Sequence, residues 1–289
     1  MQSKLKAELD KYNRPQRTPI SSRWPFLYGP AVFVRKVIKS IKNHYTVRKL
    51  NKMPRLSCVL ARHSSLLYRK LGDTDMSLQV GKVQNLMVAI SKLDGLVIPP
   101  GEIFSLWHNL GSITKKKGYT EGMLLSNGKV NKGLGGGLCQ LSNFLFWILL
   151  HTNVEVIERH HHSVDFFPDS GRTLPFGSGA TIFHNYYDLQ IKNIGVQPLQ
   201  ISLWLTEDCL KGQILSDRPD PKKFHVYEKD HCFLEHQGKF FRYNELHRET
   251  LVEGKVVHDE KIITNFAPVI YPISKEYVEE KNYRYVNIV

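Results

Sequence analysis

The stretch LCQLSNFLFWILLH, residues 138–151, restricts the fold of this chain more than any other, because its apolar side chains leave no broad polar face. Leu141, Phe144, Leu145, Trp147, Ile148 and Leu149 form a nearly all-apolar helix, and such a helix has to be buried. From Gln140 to His151 it reaches roughly 18 Å, too little to cross a bilayer, so the burial must be inside the protein. The rest of the chain therefore has to supply walls on every side. With 289 residues, 42% of them hydrophobic and 23% charged, it has the length and composition of a folded protein with a sizeable core.

The pattern around this helix predicts an α+β fold of helices mixed with antiparallel sheet. Residues 1–25 are polar and are expected to be irregular, followed by a main domain over 26–210. From Ala31, Val34, Val37, Ile38 and Ile41 fall on one helical face and Arg35, Lys36, Lys39 and Lys42 largely on the other. This basic amphipathic helix either docks on its own domain or lies on an anionic membrane surface. Val83, Leu86, Met87, Ile90 and Leu93 predict a second helix with a core-facing stripe, closed at Asp94-Gly95. Strands are expected in VEVIER from Val154, ATIFHN from Ala180, DLQIKN from Asp188 and PLQISLWLT from Pro198. The last alternates as a half-buried strand does. Beyond the proline-broken connector at Ser216, residues 217–275 read as an appended β-meander turning at Gly238 and Gly254.

Glycines 135, 136 and 137 clear side chains from the approach to Cys139, which opens the buried helix. A cysteine there faces unpaired N–H groups and the positive end of the helix dipole, an arrangement that favours the thiolate. A structural cysteine beside a tight turn is the alternative. The strand from Val154 to Arg159 runs back about the length of the helix, which carries His160, His161 and His162 towards Cys139. His160 and His162 share a strand face, so either can serve as base, and Asp188 or Asn193 can orient the ring. Cysteine, then histidine, then carboxylate or amide is also the chain order of papain-like and transglutaminase-like enzymes, a likeness of arrangement only.

Lys and Arg outnumber Asp and Glu by 40 to 27, a net charge of +13 that favours anionic partners. No helix-turn-helix, zinc-finger or RNA-stacking pattern accompanies it, so nucleic acid is not expected. Cys58, Cys139, Cys209 and Cys232 form no C-x-x-C pair, so reduced thiols are expected and no disulfide framework or zinc ribbon. No cofactor or metal is expected; a site of Cys139, His160 and His162 would match no familiar zinc spacing. The polar N-terminus and the lack of a long apolar run lead to the expectation of a cytoplasmic protein, peripheral to the inner membrane surface if the basic helix binds lipid.

GLGGGLCQLSNFLFWILLH, VIERHHHS and GATIFHNYYDLQIKN, with the upstream DGLVIPPGEIFSLW and downstream FRYNELHRE, resemble the VanW family, named after an accessory protein of vancomycin-resistance clusters. The likeness runs from about Trp24 to Tyr271. It implies a role in peptidoglycan metabolism or glycopeptide resistance and, by similarity to exported relatives regarded as L,D-transpeptidases, acyl transfer through a cysteine acyl-enzyme. Cys139 is then the nucleophile and His162, matching the family's histidine after the Glu-Arg pair, is the base. Gly136, Gly137 and Gln140 would hold the oxyanion, with Arg159 and Asn193 beside a peptide-like wall substrate. Gly179 departs from the aspartate of many relatives, and Asp188 is the replacement carboxylate. In the rival reading, a non-catalytic accessory module holds an anionic wall precursor through Lys115–Lys117, Lys129 and Lys132.

Overall fold

The computed structural model describes every residue except 15–23, 69–75, 127–128, 162, 166–167, 170–172, 185 and 289. Its order begins with helices α1 (Gln2–Asn13) and α2 (Tyr28–Thr46), strand β1 (Cys58–Leu66) and helix α3 (Met76–Leu93). Strands β2 (Val97–Ile98) and β3 (Ile103–Ser105), helix α4 (Leu106–Leu110) and the hairpin β4 (Glu121–Ser126) and β5 (Lys129–Leu134) lead to α5 (Leu138–Leu150). Strands β6 (Val154–Glu158), β7 (Gln190–Asn193), β8 (Leu199–Leu205) and β9 (Cys209–Ser216) complete the middle of the chain. The long strands β10 (Lys222–His236), β11 (Lys239–Val252) and β12 (Lys255–Pro268), helix α6 (Lys275–Glu280) and β13 (Arg284–Asn287) close it.

The architecture is mixed helix and antiparallel sheet, as the sequence predicts. One sheet has the order β1-β9-β8-β2 and a second β3-β7-β6, with β4-β5 as a separate hairpin; the C-terminal sheet is β12-β11-β10-β13. Its β13 edge is the exception, running parallel to β10. The meander turns at Gln237-Gly238 and Glu253-Gly254, where both residues of each pair have positive φ, the twist that a two-residue hairpin turn requires.

Helix α5 is the centre of the core. Ten of its residues are buried, in a cluster with residues of α3, β1, β3, β8, β9 and the segment around Ala180. Phe144 packs against the His63 ring on β1 and over Gly212 of β9, where an added β-carbon would come within 2.8 Å of the Phe144 ring. Only Cys139, Gln140 and Asn143 on α5 are half-buried, and their i, i+1, i+4 spacing places them on one face at the N-terminal end.

Several elements differ from the sequence expectation. The first residues are not irregular: α1 forms because Leu5 and Leu9, one turn apart, bury against Cys232, Leu234, Phe241 and Tyr243 of the C-terminal sheet. A pair of leucines in a polar segment is too weak a signal to announce this. The segment from Ala180 is not a strand but a run of single bridges, His160 with Thr181 and Phe183 with Tyr187. Side chains of α5 take its main-chain groups instead, Asn143 Oδ1 accepting from the Ala180 amide at 2.7 Å and Ser142 Oγ donating to the Ala180 carbonyl. Strand β8 is buried on both faces over Leu199–Leu203, because Gln200 reaches inward to the carbonyls of Met53, Pro54 and Gly95. Met87 on α3 faces outward, while Leu86, Ile90 and Leu93 are in the core.

The meander shares the main core rather than standing off from it. Val226 is part of the central cluster, with Ile262 and Ile263 packed on it. Arg248 of β11 donates to the carbonyls of Leu150, Thr152 and Val154, satisfying the C-terminal end of α5 and the chain beyond it.

Candidate functional site

The three glycines before α5 are filled by the protein itself. A β-carbon on Gly136 would lie within 2.6 Å of the Met123 nitrogen and closer still to the Gly122 carbonyl; one on Gly137, which has a φ of 96°, would meet Lys82 Cβ at 2.8 Å. Fully buried Asn85 on α3 fixes the approach, donating to the carbonyls of Gly136 and Thr120 at 2.9 and 3.0 Å. The glycines thus seat the start of α5 against α3 and β4, where the sequence reading gave their space to a substrate. Gly136→Ala should therefore destabilise by about 3 kcal/mol or more, since the clash is with backbone that cannot swing aside. Gly29→Ala, with nothing within 4 Å, should be neutral or slightly stabilising. Urea denaturation of both variants checks the contrast.

Cys139 is half-buried at the second residue of α5, its Sγ donating to the Ile182 carbonyl at 3.8 Å. Burial pushes the thiol up from its ordinary value, the Ile182 contact opposing it weakly. The expected lowering by the helix end is thus reversed, and the resting group is a protonated thiol. Gln140, expected to help at an oxyanion, instead spends its amide on the Leu66 carbonyl at 2.8 Å and Ser65 Oγ at 3.1 Å. At Gly179 a β-carbon would lie 2.6 Å from Asn143 Oδ1, so the missing side chain is what lets Asn143 grip Ala180.

The His160 main chain does return to this end of the helix. The Thr181 amide donates to the His160 carbonyl at 2.8 Å, one residue from the Ile182 carbonyl that meets Cys139. The His160 ring, however, lies against Tyr187 with centroids 4.2 Å apart, its Nε2 3.0 Å from Glu158 Oε1. His162, the other candidate base, is outside the described residues. Among the described residues, the Thr181 hydroxyl in the same segment is buried without a hydrogen bond.

The remaining predicted residues are placed elsewhere. Asp188 is fully buried and receives hydrogen bonds from Ser105 Oγ, Gln190 Nε2 and the amides of Trp107 and Leu189, so it caps α4 and ties it to β7. Burial pushes its carboxyl up against these hydrogen bonds. Asn193 closes the turn after β7, donating to the carbonyls of Ile98 and Gln197 and accepting from the Gly195 amide. Arg159 lies over the Phe146 ring and donates to Gly177 and Gly179 carbonyls and to Asn265 of β12. Burial draws it down to about 10, still protonated at neutral pH. Lys132 pairs with Glu121, and Lys115–Lys117 form an exposed 3-10 turn.

Two features had no sequence signal. Lys82 is buried beside Gly137, its ammonium donating to the Leu67 carbonyl and to Gln79. A groove of about 530 Å³ between α2 and the β6 region is lined by Arg35, Lys39, Lys42, Glu158, His160 and Tyr187. Burial works to raise the Glu158 carboxyl, yet hydrogen bonds from His160, Lys39 and the Asp188 amide prevail and hold it at about 2. The groove depends on residues far apart in sequence, such as Lys39 and Glu158. Among the described residues no three metal-ligating side chains cluster.

Comparison with known proteins follows the same segment. The family model described as VanW like protein matches residues 81–215, which include the glycines, α5 and β6–β9. The Vancomycin B-type resistance protein VanW of Enterococcus faecalis is 32% identical over 219 residues, covering 75% of this chain and 80% of its own. The uncharacterized protein YoaR of Bacillus subtilis is 27% identical over 161 residues, covering 54% of this chain and half of its own. No solved structure matches.

Proposed function

This chain belongs to the VanW-like family, and we infer from that membership, together with the half-open first turn of α5, that it is a cysteine-dependent acyl-transfer protein acting on a peptidoglycan-related peptide in glycopeptide resistance. The observation that carries the reading is the one half-buried face of an otherwise buried helix. Cys139 stands on it at the N-terminal end, where the positive end of the helix dipole faces developing negative charge.

Burial of the thiol sets the form of the chemistry. Sγ is protonated at rest, so a base must remove the proton as the acyl donor binds. The histidine run supplies it, with His162 in that role by family likeness and His160 as the alternative. Sγ forms a bond to the substrate carbonyl, the amide C–N bond breaks, and the leaving amine takes the proton from the imidazolium. An acceptor amine or water then cleaves the thioester and returns the thiol. Because the Gln140 side chain is engaged with Leu66 and the Gln140 amide with the Gly137 carbonyl, the oxyanion is left to the Cys139 amide and the helix dipole.

Intact-mass analysis of the full chain incubated with a tetrapeptide stem should reveal an adduct at Cys139, and no adduct with either a stem peptide or its activated ester would overturn the reading. The pH dependence of iodoacetamide labelling tests the protonation state. The thiol's raised pKa predicts slower labelling near neutral pH than in the unfolded chain, rising only as pH climbs past the ordinary thiol value of 9.0. Equal rates at pH 7 would refute it.

The cation-lined groove favours a second reading, an accessory protein that holds an anionic wall precursor without chemistry. In that case Lys42→Glu impairs function and Cys139→Ala leaves it intact.

A further inference from the structure

Helix α2 is docked with its polar side inward. Asn43 is buried and accepts from Gln190 at 3.0 Å, Lys39 pairs with Glu158, and Arg35 donates to the Tyr186 hydroxyl. Lys36 lies over the Phe183 ring. With that side fixed, the helical period turns Phe33, Val34, Val37, Ile41 and Tyr45 outward, and all five are exposed, Phe33 at 67% and Tyr45 at 82%. A helix that serves only to cover its own domain presents the opposite face, because leaving such side chains in water forgoes their burial.

We propose that this outward face is an interfacial membrane anchor, with α2 lying in the plane of an anionic lipid surface. Three observations select lipid over other occupants. The segment from Trp24 to Thr46 carries Arg35, Lys36, Lys39 and Lys42 and no acidic residue, in a chain of net charge +13. The positive charge lies at the flanks and beneath the helix, close enough to anionic headgroups to attract them across a Debye length. Trp24, Phe26 and Tyr28, exposed at 56%, 70% and 61%, cluster at the N-terminal end, and Trp and Tyr are the side chains that settle at a membrane–water interface. Finally, no helix among the described residues is long and apolar enough to cross a membrane, so the face is suited to lying on the surface. Apolar insertion and charge attraction together give the two signals that stable peripheral binding needs. The anchor is independent of the chemistry at Cys139.

Co-sedimentation of the full chain with vesicles of phosphatidylcholine and phosphatidylglycerol, and with phosphatidylcholine alone, tests the proposal. The chain should partition onto the anionic vesicles, and the paired substitution Val34→Ser and Ile41→Ser should weaken that partition about tenfold or more. Both positions are exposed, so the variant keeps its fold; an unchanged circular dichroism spectrum confirms this, and Phe33→Ser gives an independent second variant. Absence of binding to anionic vesicles overturns the proposal. So does binding that survives the substitutions and is released by salt, which would mean charge alone, or a dimer in sedimentation equilibrium that the same substitutions dissociate, which would mean a second copy covers the face.

Discussion

Under the proposed acyl-transfer function, Cys139→Ala is expected to reduce acyl exchange between a fluorophore-labelled stem peptide and an amine acceptor by at least about a thousandfold, because loss of the proposed nucleophile would leave only binding and main-chain dipoles to act. The same change should cost the fold only about 1 kcal/mol, since the side chain is half-buried and makes one weak contact through sulfur. The separation of the two effects is what identifies chemistry. A variant that is stable and retains exchange would exclude the nucleophile, while one that loses exchange together with its thermal transition would point to a structural cysteine. Measuring exchange and urea denaturation on one preparation distinguishes these outcomes.

The largest expected effect on stability comes from a residue remote from the chemistry, Arg248. Its guanidinium is buried, stacks on Phe224, and bonds to Glu260 as well as to the carbonyls of Leu150, Thr152 and Val154. Arg248→Ala removes the charge partner of Glu260 and strands several carbonyls in the interior, so the expected loss is about 3–5 kcal/mol. Arg248→Lys should recover little, because one ammonium cannot reproduce the planar fork that reaches all of these groups. Urea denaturation followed by tryptophan fluorescence measures it. A loss below about 1 kcal/mol would mean that water caps the helix equally well. Activity per folded molecule should be little changed, because Arg248 binds the opposite end of α5 from Cys139.

Both predictions concern one helix, and its two ends were unequally legible. The apolar run fixed the burial of α5, and the flanking glycines located its start. The return of the chain after β6 was also legible, for the His160 main chain does reach the segment beside Cys139. What the pattern could not supply was the direction of each side chain. Asp188, Asn193 and Arg159 are the right chemical types for a site, yet each is consumed by main-chain groups that become its neighbours only on folding.

The amino-acid order by itself determined which segment must be buried, the mixed helix and antiparallel sheet around it, the meander with its turns at Gly238 and Gly254, and the family. These follow from local period, turn chemistry and composition, which are properties of neighbouring residues. Tertiary structure alone decided that the Cys139 thiol is held protonated, that α2 turns its apolar face outward, and that a C-terminal arginine caps the central helix. Each of these depends on desolvation and on partners roughly 40 to 150 residues away, and only the folded chain sets those distances.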